Sequence, residues 1–121
     1  VMNISDDDIR DIAAFYATQT GTTESVSAAA AEQGGTLYRG GDEKAGIPAC
    51  MSCHGPAGEG NTLAGYPRLA GQHAPYTSAQ LQAYRSGERS TDPNSMMRTI
   101  SQRLSDDQIE SLSAFLSALG R

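Results

Sequence analysis

Cys50-Met51-Ser52-Cys53-His54 form a C-x-x-C-H run. Two thiols at this spacing share one turn, where both can add to the two vinyl groups of a single porphyrin. His54 is then held beneath the ring, with its Nε2 able to bind iron. Attachment consumes both cysteines, so neither is left for a disulfide or for thiolate chemistry. Two other readings of the same residues are weaker. A thioredoxin-like redox pair belongs in a βαβ context, yet the chain has only two Val and no Val/Ile-rich strand run. A structural zinc site needs four ligands. The chain offers Cys50, Cys53, His54 and His73, and adjacent Cys53 and His54 suit tetrahedral closure poorly.

A haem held by His54 needs a second axial ligand or an open position. Met51 lies inside the attachment loop and cannot reach the opposite face. Met2 lies far from it, near the start of the chain. Met96 and Met97 sit downstream, where a returning segment can cover the far side. In a helix, neighbouring residues point about 100° apart, so only one of them faces the iron. Met97 shares its face with Ile100 and Leu104, an apolar stripe suited to a haem pocket. Met96 shares its face with Thr99 and Arg103. Met97 is therefore the expected ligand. His73, in a Gly71-Gln72 setting that reads as a surface loop, is the bis-His alternative. His54 is expected to donate Nδ1–H to a carbonyl, which fixes the ring. Pro67 is the natural supplier, because a proline has no N–H and stays out of regular ladders.

The elements that must position these groups read as helices. Residues 26–39, with the Ala28–Ala31 run, predict a helix stopped by Gly40-Gly41. Gly34 and Tyr38 share one face of it, so the last helix is expected to approach closely at Gly34 and pack through Phe115. A short helix over 49–54 presents both sulfurs. Residues 55–75, rich in Gly and Pro, read as an irregular loop along the haem edge, including Tyr66, Pro67, Arg68 and Leu69. Ser78–Ser86 reads as a helix, Thr91-Asp92-Pro93-Asn94 as a turn, and 95–103 as helix or extended turn. The last helix starts at Ser105. The plan is all-α.

The chain also repeats itself. Ile4–Phe15 lies over Leu104–Phe115 at an offset of 100 residues, with six of twelve pairs identical. Ser5 and Ser105 are N-cap positions, acidic residues fill each first turn, and Ile9, Ile12 and Phe15 match the apolar face of Ile109, Leu112 and Phe115. A full repeat would contain a second C-x-x-C-H, and none exists. Residues 1–18 are thus expected to be the last helix of a preceding cytochrome domain, 19–25 a linker rich in Thr, Ser and Gly, and 26–121 a haem domain.

Composition limits the function. The length of 121 residues suits one small domain plus an appendage. The net charge of −5 resides in residues 1–33, while 34–121 are neutral overall. Arg68, Arg85, Arg89, Arg98 and Arg103 form a locally basic stretch, read as a mixed solvated surface in preference to a docking patch for an acidic partner. A pI near 4.8 and a single lysine exclude a nucleic-acid binder. No apolar run reaches about 18 residues, so no membrane-spanning helix is expected. No signal peptide opens the chain, although haem attachment of this type occurs outside the cytoplasm. A processed or trimmed product, in the periplasm, is expected.

The motifs together resemble class I cytochromes c, and more closely the C-terminal domain of the dihaem cytochromes c4. The resemblance covers essentially all 121 residues. It rests on Leu37-Tyr38-Arg39-Gly40-Gly41, Pro48–His54, Gly65-Tyr66-Pro67-Arg68-Leu69-Ala70-Gly71-Gln72-His73, Arg85-Ser86-Gly87-Glu88-Arg89, and Met96-Met97-Arg98 with Leu104-Ser105-Asp106. The loop after the attachment motif is more particular to this family than the motif itself. The resemblance implies a class I cytochrome c fold, His54/Met97 ligation, and a Pro67 carbonyl accepting from His54. It implies one haem c, covalent through Cys50 and Cys53, and a periplasmic electron carrier in a respiratory chain. The donor would be a bc1-type complex or a dehydrogenase, and the acceptor a terminal oxidase or similar protein. The absent first haem domain means that inter-haem transfer does not carry over. The alternative is a haem enzyme subunit (peroxidase-like) or a gas-sensing domain with a displaceable sixth ligand.

Overall fold

The computed structural model describes residues 3–20 and 26–120. Most of the expected linker, and Met2, lie outside the described residues. Among the described residues six α-helices follow in order: α1 Asp6–Ala17, α2 Ala28–Gly40, α3 Met51–His54, α4 Ala74–Ser86, α5 Met96–Ser101 and α6 Asp106–Ala118, with one 3-10 turn at Pro93–Ser95 before α5. Extended pairing among the described residues is confined to two isolated bridges.

The helices form where local chemistry favours them. Ser27 accepts from the Ala30 N–H at the start of α2. Ser105 opens α6 with a reciprocal box, its hydroxyl accepting from Gln108 N–H while the Gln108 side chain accepts from Ser105 N–H. α4 starts four residues earlier than the expected Ser78. Pro75 sits in its first turn, where a missing N–H costs nothing, so a residue read as loop punctuation belongs to the helix.

The core lies between α2 and α6. Leu37, Tyr38, Ile47, Leu104, Ile109, Leu112 and Leu116 are buried in one cluster, with Phe115, Ile100, Leu69 and Leu81 packed around it. Each fully buried aliphatic side chain contributes about 1.5–3 kcal/mol. The close approach depends on Gly34, where a Cβ would overlap the Ser111 carbonyl of α6. One turn on, the Tyr38 and Phe115 rings lie 5.3 Å apart, as expected from the sequence. α4 joins the other side of α6: Arg85 donates to the Leu104 carbonyl at 3.1 Å and pairs with Asp106.

Two six-residue turns flank α3 and have the same construction. Asp42 and Ile47 exchange backbone hydrogen bonds, and Asp42 Oδ1 accepts from Ala45 N–H at 3.1 Å. Asn61 and Tyr66 do the same, with Asn61 Oδ1 accepting from Ala64 N–H at 3.2 Å. Each is an Asx-type turn, followed by Pro48 in one case and Pro67 in the other. The first leads the chain into Cys50; the second delivers Pro67 back to His54.

α1 stands apart. No other helix packs against it among the described residues, and none of its side chains is buried.

Candidate haem-binding site

α3 is a single turn, with Cys50 at its N-cap and Gly55 at its C-cap. Cys50 is half-buried and Cys53 exposed, and no disulfide joins them. Burial pushes the Cys50 thiol up to about 11. A dithiol redox centre instead depends on a depressed thiol. Among the described residues, no group of three or more His, Cys, Asp and Glu side chains gathers as a metal-ligand cluster. The zinc reading therefore lacks a donor set.

His54 is buried, and its Nδ1 lies 2.9 Å from the Pro67 carbonyl oxygen. A carbonyl only accepts, so Nδ1 carries a proton, and in the neutral ring Nε2 then keeps its lone pair. This is the donor that a haem iron requires, fixed in tautomer and orientation by a neighbour. The two sulfurs, four positions and one position before it, complete a set whose chemistry fits a covalently attached haem.

Two further groups hold this arrangement, and neither carries a sequence signal for this role. Gly60 has φ 75° and donates its N–H to the His54 carbonyl at 2.8 Å. A Cβ there would come within 2.6 Å of the Pro67 carbonyl carbon, so only glycine lets the 55–60 loop pass under Pro67. Tyr38 donates its hydroxyl to the Gly55 carbonyl at 2.6 Å. Burial pushes this phenol up to about 12, so it stays a donor across physiological pH. The sequence pointed to Tyr38 only as a packing ring. The -Gly-Ile-Pro- and -Gly-Tyr-Pro- similarity of the two Asx turns was also visible in the sequence, and would have marked Pro67 as the end of a built turn.

The remaining expected site residues fall as follows. Tyr66 is half-buried, with its ring edge-on to His54 at 6.0 Å. Leu69 and Ile100 are half-buried and pack against the core. Arg68 is exposed and turns its Nε to the Ala70 carbonyl at 3.3 Å. Across the 96–104 segment, Met96, Thr99 and Arg103 are exposed, whereas Met97 and Ile100 are half-buried and Leu104 is buried. The helical face carrying Met97 is thus the inward one. His73 is exposed at the N-cap of α4.

The basic stretch is held within the chain. Arg89 bonds Gln80 and lies over the Tyr84 ring, Arg98 pairs with Asp92, and Arg103 donates to the Gly46 carbonyl. With Arg68 and Arg85 also engaged, these guanidinium groups form a mixed surface.

Comparison with known proteins agrees with this geometry. The cytochrome c family model matches residues 31–120. The chain is 46% identical over 117 residues to cytochrome c4 of Stutzerimonas stutzeri, covering 96% of this chain and 56% of that protein. It is 46% identical over 118 residues to cytochrome c4 of Azotobacter vinelandii, covering 97% and 56%. The crystal structure of reduced recombinant cytochrome c4 from Pseudomonas stutzeri superposes with a TM-score of 0.90 at 46% identity, over 95% of this chain and 61% of that one. The chain thus spans little more than half the length of these relatives. The family model's span contains most of α2, all of α3 through α6 and the whole C-x-x-C-H turn with its Pro67 brace; the chain belongs to the cytochrome c family and carries one covalent haem c.

Proposed function

We propose that this chain is a one-electron carrier whose haem iron is bound by His54 and Met97. The bound haem supplies an Fe(III)/Fe(II) couple. The chain's residues hold it, close both axial positions and leave one edge near the surface. Cys50 and Cys53 anchor the porphyrin through their sulfurs. Pro67 holds His54 in the Nε2-donor tautomer, and Tyr38 and Gly60 brace the backbone carbonyls of Gly55 and His54. Met97 comes from the inward face of α5. A His/Met pair raises the potential relative to bis-His ligation. With both positions filled, no site is left for substrate, which distinguishes a carrier from a peroxidase-like or gas-sensing protein. The observation that carries this reading is the His54–Pro67 hydrogen bond, which orients His54 and supports its role as an iron ligand.

Electrons would enter and leave through an exposed haem edge. Encounters with partners would use small, transient interfaces. A thiosulfate dehydrogenase electron acceptor of Stutzerimonas stutzeri is 42% identical over 95 residues, which supports a dehydrogenase as donor; the acceptor would be a terminal oxidase or similar protein, in the periplasm. No helix among the described residues is long and apolar enough to cross a membrane.

Residues 1–18 fit the last helix of a preceding cytochrome domain, 19–25 a linker, and 26–121 the haem domain. The internal repeat and the exposed apolar face of α1 support this division.

Reduction potentials of the holoprotein variants test the ligand pair. Met97→Ala lowers the potential and removes the weak far-red absorbance of thioether-bound ferric haem, while Met96→Ala leaves both near wild type. The reverse result refutes Met97 as the ligand.

A further inference from the structure

The turn that delivers Met97 is an unusual piece of backbone. Asn94 and Ser95, immediately before α5, both have positive φ, at 55° and 56°. Asparagine tolerates this conformation; serine does so at a cost. Two such residues in succession persist only where their surroundings over-determine them. Ser95 is the N-cap of α5, yet its side chain makes no capping bond. The N-terminal N–H groups of α5 therefore need an acceptor from elsewhere.

Asp92 supplies it. Its Oδ2 accepts from the Arg98 backbone N–H at 3.0 Å, and its Oδ1 accepts from Arg98 Nε at 2.8 Å. Its own carbonyl accepts from Ser95 N–H at 3.3 Å. Arg98 Nη2 also reaches the Ser90 carbonyl at 3.5 Å. One carboxylate thus closes a loop that begins at residue 92, contains the strained pair and both methionines, and ends one residue beyond Met97. The Asp92 side chain is only 3% exposed, and that of Arg98 30%. Charge-assisted bonds of this kind are among the stronger ones a side chain makes.

We infer that Asp92 is the positioning residue for the sixth ligand: by gripping Arg98 at both its backbone and its guanidinium, it holds the 93–97 turn in the one shape that keeps the Met97 thioether on the iron. This rests on Met97 being the ligand. Asp92 does not touch the iron; it acts through the backbone of the residue that follows the ligand. Its loss raises the fraction of protein with the thioether detached, and an exogenous ligand then binds with an apparent affinity increased by the same factor.

The test is cyanide binding to ferric holoprotein, read beside the far-red absorbance and the thermal unfolding midpoint. Four variants are needed: Asp92→Ala, Asp92→Asn, Arg98→Ala and Met97→Ala. Asp92→Ala should tighten apparent cyanide affinity about tenfold, the scale of a lost bond to a charged group. Asp92→Asn keeps one oxygen for the Arg98 N–H, and Arg98→Ala keeps the backbone bond, so each should give a smaller rise. These two decide the matter if Asp92→Ala yields no holoprotein. Wild-type cyanide affinity in the Asp92 and Arg98 variants, with or without a lower melting temperature, overturns the inference while Met97→Ala still loses the far-red absorbance. If Met97→Ala retains that absorbance, the ligand reading itself has failed, and the inference falls with it.

Discussion

α1 and α6 are nearly the same helix in two settings. Both open on a serine whose hydroxyl accepts from the N–H three residues on, and both close the reciprocal box. Both carry an apolar stripe at helical spacing. Yet Ile12 is 45% exposed and its counterpart Leu112 is 2% exposed. The difference lies outside the helices. α6 rests on the glycine-lined face of α2, and α1 rests on no helix among the described residues. Local sequence makes a helix; a complementary surface makes it part of a core.

The one change inside the capping box points the same way. Asp8 in α1 becomes Gln108 in α6. Gln108 uses its oxygen for the cap and its Nε2 to donate to Asp42 Oδ2 at 3.3 Å. A carboxylate there would face Asp42 with like charge. Asp106 likewise finds Arg85 across the α4–α6 contact. α6 has been fitted to its neighbours at the positions where α1 has none.

Truncating matched residues gives the largest contrast. Leu112→Ala should cost about 2–5 kcal/mol by denaturant unfolding of the holoprotein, whereas Ile12→Ala should stay within about 0.5 kcal/mol. Equal losses would break the comparison. Gly34→Ala should cost about 1–3 kcal/mol, because the added methyl meets the Ser111 backbone; a neutral outcome would mean that the close approach is not what buries α6. Ser105→Ala should cost about 1 kcal/mol, and Ser5→Ala should change helix content by circular dichroism without moving the unfolding midpoint.

The smallest effect concerns acid. Hydrogen bonds from the Ser5 side chain and backbone hold the Asp8 carboxyl below its ordinary range. A depressed carboxylate contributes stability above its unfolded value of about 3.9, and loses it as pH falls through the lower folded value. The α1 cap should weaken in that window. The Gln108 cap does not titrate, so α6 should not respond through it. Residue-resolved amide shifts across an acid titration separate the two, and a matched response in both caps would contradict the capping account.

Much of this was legible beforehand because it is local or repeated. The attachment run, the Ser caps, the inward face of Met97, Ile100 and Leu104, and the Gly34–Tyr38–Phe115 contact all follow from helical spacing. What escaped involves partners brought together by the fold. Tyr38 reaches the Gly55 carbonyl, Gly60 passes under Pro67, and Asp92 turns inward to Arg98. Asp92 read as one residue of a turn, and Arg98 as part of a basic stretch. Their pairing depends on left-handed backbone at Asn94 and Ser95, which no propensity scale favours for serine. The start of α4 was missed because Pro75 signals a break and a helix's first turn equally well.

The central claim is that the chain's own residues close both iron positions, making a carrier. Mixing ferrous holoprotein with carbon monoxide tests it most directly. The account predicts slow, limited binding in wild type and rapid binding once Met97 is replaced by Ala. Rapid, complete binding in wild type would contradict it, since an open or displaceable sixth position belongs to a catalyst or a sensor.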